Sequence, residues 1–361
     1  MKKILVGMSG GVDSSAAALV LKEQGYDVGG CTLKLCGNDC TDAAAVCEKL
    51  GIPHFIVDLE DRFRQKVMDA FAEGYIDGGT PNPCIFCNRC IKFGEMLDYA
   101  LKQGYDGIAT GHYAKIEYDE RSGRYLLLRS ADRKKDQTYV LYGMTQFQLA
   151  HTLFPLWDRD KEQNRILAER YGLPNAGKPD SQDICFVPDG DYAAFIERHT
   201  GRTFPEGDFV DTEGNAIGRH SGMIRYTVGQ RKGLGVTFGK PVYVCGKDVE
   251  RNTVTLGDSE DLMTLTAVAE DVNLISIDDV SEPMKITAKT RYNMTDASGI
   301  VERVGDSKIK VRSEEHTSEL PSEPLQRDKR LFCTTGILLW EGEQSYSLFS
   351  KNIIKIITLY M

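Results

Sequence analysis

The chain has 361 residues, of which 41% are hydrophobic and 27% charged, and this composition predicts a globular protein with two or three domains. Its net charge of −9 excludes a globally basic nucleic-acid-binding protein but not a local basic surface. The first residues, "MKKILVG", lack the apolar core of a signal peptide, and no apolar run reaches the length of a membrane span. We therefore expect a cytoplasmic protein that does not enter a membrane.

The first 110 residues alternate between short apolar runs and segments with helical spacing. "KILVGM", "YDVGGCTLKL" and "HFIVDL" are predicted strands, and each is followed by a predicted helix. This alternation is typical of an α/β fold with a doubly wound parallel sheet. Ligands of such sheets bind beyond the carboxyl ends of the strands, where "SGGVDSS" (9–15) and "TGHY" (110–113) both lie.

The sequence pattern changes near residue 202, where short alternating segments punctuated by glycine predict β structure. Residues 312–361 begin with a polar run and do not alternate, so we expect them to be foreign to the preceding fold and to leave it incomplete. Four parts are therefore predicted: a catalytic α/β domain at 1–201, a β-rich central domain at 202–261, a partial β-barrel-like domain at 262–311 and an atypical tail at 312–361.

The segment "SGGVDSS" has the features of a phosphate-binding loop. Backbone N–H groups of Ser9, Gly10 and Gly11 can surround phosphate oxygens at the start of a helix, and the glycines allow close approach. No lysine follows the glycines, so the pattern differs from the Walker loop that serves γ-phosphate transfer. A loop that holds pyrophosphate while the α-phosphate is attacked fits better. The alternative is an ordinary strand-to-helix turn.

Cysteines are concentrated in the first quarter of the chain, which indicates thiol chemistry or metal binding. Three of them, Cys84, Cys87 and Cys90, have C-x2-C-x2-C spacing in "TPNPCIFCNRCIKF". If this segment is helical, Cys87 and Cys90 share a face and all three thiols can approach one metal ion. Alternatively one thiol is a nucleophile whose pKa is lowered by Arg89 and Lys92. Three buried small residues are the structural alternative.

Two further features of the sequence are informative only together with these clustered cysteines. Cys185 lies in a short apolar run in "DSQDICFVPDG" (180–190), and such a cysteine on its own is more often part of a core. The stretch 121–137 carries six basic residues, which predicts an RNA-phosphate-contacting strip or, alternatively, a solvated hairpin. "GQRKGLG" (229–235) is a second candidate for RNA contact.

The string S-G-G-x-D-S-S resembles the signature of the PP-loop ATP pyrophosphatases, which adenylate a substrate oxygen and release pyrophosphate, normally with Mg²⁺. "TPNPC-x-x-CN…IKF" and "DSQDICF" resemble the tRNA-specific 2-thiouridylases, which sulfurate the wobble uridine (U34) of tRNA. "ATGHYA", "KDQTYVLY", "GRHSGMIRYTVGQRKGLG" and "KTRY" extend this resemblance, in consistent order, over about residues 1–311.

This resemblance implies a PP-loop domain of the adenine nucleotide alpha hydrolase type, followed by a central β-rich domain and a β-barrel-like domain. It implies Cys87 as the nucleophile and Cys185 as the persulfide carrier. The residues implied to bind ATP are Gly7, Met8, Ser9, Gly10, Gly11, Val12, Asp13, Ser14, Leu33 and Gly111. The residues implied near the target base or tRNA are Asn82, Pro83, Cys84, Lys135, Asp136, Gln137, Arg291 and Tyr292.

The implied reaction uses ATP to adenylate the C2 oxygen of uridine, so that AMP becomes the leaving group. A persulfide on Cys185 then supplies sulfur to C2, and Cys87 attacks the persulfide and forms a Cys87–Cys185 disulfide. The implied partners are a tRNA with a wobble uridine and a cysteine desulfurase or sulfur-relay protein as sulfur donor. A reducing compartment would restore the thiols.

One departure from the family pattern keeps other interpretations open. Position 84 holds cysteine where the family usually has aspartate, so an iron–sulfur or zinc site on Cys84, Cys87 and Cys185 is an alternative to the persulfide route, either in a cluster-dependent tRNA thiolation enzyme or in a protein that merely binds tRNA. A PP-loop ligase that adenylates a small carboxylate or a nucleotide base is another alternative. That ligase would need neither Cys185 nor tRNA.

Overall fold

The computed structural model describes residues 1–178, 184–236, 239–262, 266–289, 296–305 and 308–313, together with the backbone of two later strands. The strands are β1 (Lys3–Gly7), β2 (Asp27–Lys34), β3 (His54–Asp58), β4 (Gly107–Ala109), β5 (Ala114–Asp119), β6 (Arg124–Arg129), β7 (Thr152–Leu153), β8 (Gly207–Val210), β9 (Ala216–His220), β10 (Tyr243–Asp248), β11 (Thr253–Gly257), β12 (Thr266–Asn273), β13 (Met284–Lys289), β14 (Ala297–Val304), β15 (Lys308–Ser313), β16 (Cys333–Leu338) and β17 (Lys355–Tyr360).

Most helices lie in the first 200 residues of the part that the structure describes. The α-helices are α1 (Val12–Glu23), α2 (Thr41–Leu50), α3 (Glu60–Phe63), α4 (Asp69–Ile76), α5 (Pro83–Phe86), α6 (Met96–Lys102), α7 (Gln146–Ala150), α8 (Lys161–Arg170) and α9 (Tyr192–Thr200). Two π-helical segments are Arg64–Met68 and Cys87–Glu95, and 3₁₀ turns are Thr138–Val140, Met223–Arg225 and Glu260–Leu262.

The first domain contains a parallel sheet with the strand order β3-β2-β1-β4-β7. Its two faces bury different cores, because Ile4 and Val6 of β1 pack with α1, α2 and α8 while Leu5 between them packs with α6. This confirms the predicted doubly wound α/β fold. The strand order reverses between β1 and β4, so the crevice for a ligand lies beyond Gly7 and Ala109.

The segment with the three clustered cysteines is one continuous helical rod made of α5, the π-helix Cys87–Glu95 and α6. Asn82 caps it, because its Oδ1 accepts a hydrogen bond from the Cys84 backbone N–H at 3.0 Å, and Pro83 occupies the first turn. Hydrogen bonding from i to i+5 widens the turn. Cys87 and Cys90 still pack against the same core, which contains Phe63 and Ile91.

The later part of the chain is β-rich, as predicted. One sheet has the order β10-β11-β8-β9, and the last six strands form a closed barrel with the order β12-β15-β14-β13-β17-β16. β16 and β17 pair with each other and with β12 and β13, which corrects the expectation that the tail leaves the barrel incomplete. The β-branched runs "CTTGIL" and "KIITLY" have strand propensity, and the polar sequence before them concealed it.

In the described ranges, no helix is both long enough and apolar enough to cross a membrane.

Candidate functional site

The phosphate-loop candidate connects β1 to α1 at the crevice where the strand order reverses. Gly10 has a φ of 75°, which only glycine adopts easily. Gly11 O accepts hydrogen bonds from Ser14 Oγ at 2.9 Å and Ser15 Oγ at 3.1 Å, so the first turn of α1 holds the loop. The Ser9 and Gly11 N–H groups make only long contacts with serine hydroxyls, at 3.3 and 3.4 Å, which an anion can replace.

Two residues from distant parts of the chain support this loop. The Asn175 side-chain amide donates to Gly10 O at 3.0 Å and to Ser15 Oγ at 2.9 Å, and Asn175 is buried. Gly111, after β4, lies so close to α1 that a Cβ there would be 2.7 Å from the Asp13 carbonyl carbon. The structure therefore brings Gly111 together with the loop, as the family resemblance implied. Sequence reasoning missed Asn175, which has no local motif.

Asp13 is the centre of a polar network. Its Oδ1 accepts from the Tyr113 hydroxyl at 2.8 Å, and its Oδ2 accepts from Lys161 Nζ at 2.6 Å. Asn164 Nδ2 donates to the Tyr113 hydroxyl at 2.9 Å, so α8 supplies two members of the network. The lysine that the loop itself lacks thus reaches it from the first residue of α8. Asp160 and Gln163 form the capping box that begins this helix, but nothing in that signal indicated a contact with Asp13.

The remaining predicted nucleotide-binding residues lie along the same sheet edge. The Met8 N–H donates to Cys31 O at 2.7 Å, and Met8 O accepts from Thr32 Oγ1 at 2.9 Å, which fixes the chain from Gly7 into the loop. Val12 begins α1 and is buried. Leu33, near the end of β2, packs against the core that contains Cys87. Leu33 therefore lies on the side of the crevice that faces the cysteines.

The thiols of Cys84, Cys87 and Cys185 form one group, and Cys36 is a fourth member that sequence reasoning missed. The group shares the cation of Lys92, whose charge favours the thiolate of Cys84, Cys87 and Cys185. Cys36 follows β2, and its Sγ lies 3.9 Å from the Cys185 carbonyl oxygen. Sequence separation of 149 residues concealed this contact.

Cys185 is exposed, but its neighbours on both sides are anchored. The Phe186 ring packs against Phe63, Phe71 and Phe195, with ring centroids 5.7, 5.4 and 4.9 Å apart. Val187 is buried, and its N–H closes a turn onto Ile184 O at 2.9 Å. Cys185 is thus an exposed thiol on an aromatic anchor and not the core cysteine that its apolar run alone would favour.

The pKa values of the clustered thiols differ from the expectation that nearby cations lower them. Burial raises the pKa of Cys87 to about 12, and Lys92 offsets only part of that increase. Although part of the Cys84 side chain is exposed, neighbouring atoms desolvate its thiol and raise its pKa. Arg89 instead pairs with Asp271 at 3.3 Å.

Cys36 behaves differently, because a hydrogen bond with Cys185 lowers the pKa of Cys36 to about 7. Although Cys185 is exposed, the same hydrogen bond and the desolvation of its thiol by neighbouring atoms raise the pKa of Cys185. Within this pair the thiolate is therefore favoured on Cys36 over Cys185.

The described cysteine side chains are all free thiols, and among the residues that the structure describes no three His, Cys, Asp or Glu side chains are arranged to hold a metal ion. Cys84, Cys87 and Cys185 thus lie near one another without forming a ready-made ligand set. We derive no step through an iron–sulfur cluster. Mg²⁺ needs no protein cage of its own, since it is usually held by one or two carboxylates and by substrate phosphates. Asp13 is the carboxylate in this loop.

Some of the residues predicted to face tRNA are exposed, and others are engaged in hydrogen bonds within the protein. Lys135 is exposed, and Asn82 and Pro83 begin the cysteine-containing helix beside Cys84. Asp136 is engaged internally, because it accepts from Ser130 N–H at 3.1 Å and from Thr138 Oγ1 at 2.6 Å. Gln137 Oε1 accepts from Tyr113 N–H at 2.9 Å. Arg291 and Tyr292 lie outside the described residues.

The basic stretch 121–137 is likewise divided. Arg124 donates to Leu274 O at 2.7 Å and to Ile275 O at 2.9 Å, and it pairs with Asp278. Arg129 pairs with Asp296 at 2.6 Å. Both arginines therefore bind segments in and beside the barrel. The prediction that they belong to an RNA-phosphate-contacting strip is corrected for these two residues. The exposed basic residues of the stretch are Arg121, Arg133, Lys134 and Lys135.

Comparisons with known proteins agree with this architecture. Family models described as the tRNA methyl transferase HUP domain and the tRNA methyl transferase PRC-barrel domain match residues 2–189 and 193–258. The chain is 49% identical over 324 residues to the tRNA-specific 2-thiouridylase MnmA of Clostridioides difficile, which covers 86% of this chain and 90% of that protein. The enzyme of the same name from Acetivibrio thermocellus is 49% identical over 326 residues, covering 86% of this chain and 91% of that protein.

Among solved structures, the U34-tRNA thiolase NcsA from Methanococcus maripaludis with its [4Fe-4S] cluster matches with a TM-score of 0.33 and 20% identity. The match covers 55% of this chain and 63% of that one. This likeness is too distant to carry an argument about the present site.

Proposed function

The chain belongs to the family of tRNA-specific 2-thiouridylases, and we propose that the phosphate loop and the thiol group described above are its active site. The enzyme is an ATP-dependent tRNA sulfurtransferase that converts the wobble uridine to 2-thiouridine. The observation that carries the assignment of the site is structural. An exposed, anchored thiol, Cys185, meets a second thiol at the end of β2, next to the strand that leads into the phosphate loop. Methyl transfer would require neither feature.

In the first step, the C2 oxygen of uridine attacks the α-phosphate of ATP and pyrophosphate leaves. Ser9, Gly10, Gly11 and the first turn of α1 bind the pyrophosphate through N–H and hydroxyl donors. Lys161 adds a positive charge beside Asp13, where phosphate charge accumulates during the attack. When bound, Mg²⁺ neutralises phosphate charge. Met8, Leu33 and Gly111 line the remaining sides of the nucleotide.

In the second step, the terminal sulfur of a persulfide on Cys185 attacks C2 and AMP leaves. Cys185 suits a carrier role because it is exposed to a sulfur donor and held in place by Phe186. Lys92 stabilises negative charge on the attacking sulfur. The sulfur donor belongs to the class of cysteine desulfurases or sulfur-relay proteins. Cys87, which the family resemblance implies as nucleophile, lies in the same thiol group.

The tRNA is bound by exposed basic residues of the first two domains. Lys135 and its exposed neighbours Arg133 and Lys134 follow the β5–β6 hairpin, and Arg231 and Lys232 are exposed in "GQRKGLG". The family matches end at residues 189 and 258 and β12 begins at Thr266, near the predicted boundaries at 201 and 261. The boundary predicted at 311 falls inside β15, which belongs to the same barrel as β16 and β17. A reaction that consumes thiols in each cycle suits the reducing cytoplasm.

The experiment is mass spectrometry of tRNA after incubation with enzyme, ATP, Mg²⁺, cysteine and a cysteine desulfurase as the persulfide donor. We expect the oxygen-to-sulfur mass change on the wobble uridine, dependent on ATP and absent with the Cys185→Ser variant. That variant should still release pyrophosphate in the presence of tRNA, because adenylation does not use its thiol. Cys245→Ser, which alters a buried cysteine of the central sheet, is the control. Unmodified tRNA with active wild-type adenylation of a small molecule would support a PP-loop ligase instead.

A further inference from the structure

We propose that Cys36 is a catalytic residue that resolves the sulfur-transfer intermediate on Cys185 and forms a Cys36–Cys185 disulfide. This inference rests on the proposed function and assigns a role to a thiol outside the family motifs quoted above. It differs from the family expectation, in which Cys87 forms the disulfide with Cys185. The geometry at the end of β2 is its basis.

Cys36 is held in contact with Cys185 by a braced loop. Leu35 N–H donates to Asn38 Oδ1 at 2.9 Å, and Asn38 Nδ2 donates back to Leu33 O at 3.1 Å. Gly37 N–H donates to Glu60 Oε1 at 3.2 Å. These bonds fix the residues on both sides of Cys36, so its Sγ stays 3.9 Å from Cys185 O.

Cys36 is better suited than Cys87 to attack Cys185. A thiolate is the attacking species in thiol–disulfide exchange, and a thiol with a pKa near the ambient pH attacks fastest. Cys36 is exposed and has a pKa of about 7, whereas burial raises the pKa of Cys87 to about 12. Cys87 is buried in the core that contains Phe63 and Ile91, whereas Cys36 lies at the surface beside Cys185.

The step balances as follows. After AMP leaves, the transferred sulfur is bonded both to C2 of uridine and to Cys185 Sγ. The Cys36 thiolate attacks Cys185 Sγ, a Cys36–Cys185 bond forms, and the bond between Cys185 Sγ and the transferred sulfur breaks. The electron pair of that bond stays on the transferred sulfur, which becomes the 2-thiocarbonyl. A thiol or dithiol reductant then returns the disulfide to two thiols, and a persulfide donor reloads Cys185.

The test is a single turnover with full-length enzyme that carries a persulfide on Cys185, in the absence of added thiol. ATP, Mg²⁺ and a tRNA transcript are added, the reaction is quenched with N-ethylmaleimide, and non-reduced peptides are analysed by mass spectrometry. We expect a Cys36–Cys185 cross-linked peptide in proportion to the 2-thiouridine formed. A Cys87–Cys185 peptide, or Cys36 recovered as its alkylated thiol after turnover, would overturn the proposal.

Variants separate this step from adenylation. Cys36→Ser should release 2-thiouridine at least about tenfold more slowly without added thiol, because a positioned thiolate is lost, and uridine should remain bound to Cys185. Added dithiothreitol should restore release, and pyrophosphate release should stay at the wild-type rate. Cys40→Ser is the matched control, since Cys40 Sγ lies 3.8 Å from Asn38 O in the same loop, and we expect wild-type behaviour.

If Cys36→Ser turns over normally without thiol while 2-thiouridine still forms, only this inference fails. If wild-type enzyme forms no 2-thiouridine, the proposed function and the inference both fail.

Discussion

Lys161 Nζ lies 2.6 Å from Asp13 Oδ2, although the two residues are 148 positions apart in the sequence. Asp13 is in the first turn of α1, and Lys161 is the first residue of α8. Both side chains are mostly shielded from solvent, with exposed fractions of 29% and 17%. The contact places a fixed positive charge beside the phosphate loop.

We expect Lys161→Met to slow tRNA-dependent pyrophosphate release by about a hundredfold, because a preorganised positive charge at the loop is lost. A pyrophosphate-release assay at saturating ATP measures the effect. Lys178→Met is the control, since Lys178 makes an exposed ion pair with Asp42 at 2.5 Å and such pairs contribute little. Equal rates for the two variants would remove Lys161 from the site.

Gly111→Ala should disturb the same region through shape rather than charge. Its Cβ would lie 2.7 Å from the Asp13 carbonyl carbon and 2.9 Å from Asp13 O, so α1 must shift. We expect a free energy of unfolding lower by about 1–3 kcal/mol and weaker ATP binding. Gly177→Ala, where no atom lies within 4 Å of the added Cβ, should behave like wild type in urea unfolding and in ATP titration.

The division of the basic stretch predicts opposite phenotypes for two of its members. Lys135→Ala should weaken tRNA binding and lower the slope of log affinity against log salt by about 1, as for the loss of one phosphate contact. Arg124→Ala should leave that slope unchanged and lower the free energy of unfolding by about 1–3 kcal/mol, because the Leu274 carbonyl loses its Arg124 donor and the Ile275 carbonyl keeps only the bond from Gln146 Nε2. Filter binding at several salt concentrations and urea unfolding measure the two quantities. Identical slopes for Lys135→Ala and wild type would contradict a tRNA contact at this position.

Lys247 makes stability depend on pH at the contact between the central and first domains. It is buried, donates to Tyr226 O at 2.9 Å and Gly79 O at 3.2 Å, and burial lowers its pKa from 10.5 to about 8. Between pH 8 and 10.5 the unfolded chain binds a proton at this site that the folded chain does not, so stability rises with pH across this window.

Relative to Lys247→Met, the free energy of unfolding of wild type should therefore increase by about 3 kcal/mol from pH 8 to 10.5. Urea unfolding at several pH values measures this difference. Lys240→Met, which changes an exposed lysine paired with Asp258, is the control. A difference between Lys247→Met and wild type that is constant across the window would show that Lys247 is already charged in the folded protein.

Thiol reactivity should follow the pKa order of the cysteines. Alkylation of Cys36 by iodoacetamide should rise through pH 7, because the thiolate forms above its pKa of about 7, whereas Cys87 with a pKa of about 12 should stay unmodified. The groups that act on Cys36 are Cys185, Cys87 and Glu60. Peptide mass spectrometry after timed labelling measures both rates. Cys185→Ala should shift the Cys36 profile to higher pH, since the hydrogen-bond donor that lowers the pKa of Cys36 is lost.

The sequence predicted those features that repeat within a short window. Alternating apolar runs marked β1, β2 and β3, and glycine spacing marked the loop at residues 9–11. Asn175, Lys161 and Cys36 were not predicted, because each acts across elements far apart in the chain and none is part of a local pattern. Only the sheet topology brings them to one edge.

One local prediction failed for a physical reason that a single sequence does not show. A run of arginines is equally basic whether it faces a nucleic acid or a carboxylate of the same chain. Asp278 and Asp296, which pair with Arg124 and Arg129, lie 154 and 167 residues further along and give no local indication.

The contacts around residues 271–278 have a mechanical consequence. Besides Arg124, Asn273 Nδ2 donates to Tyr142 O at 2.6 Å and Met144 O at 2.9 Å, and Gln146 Nε2 donates to Ile275 O at 3.0 Å. Hydrogen bonds are directional, so a joint made of several that point different ways resists both sliding and hinge rotation. The barrel and the first domain should therefore tumble as one rigid body. A long, stiff substrate that touches both would then be selected by whether its own length matches the fixed distance between its two contact points.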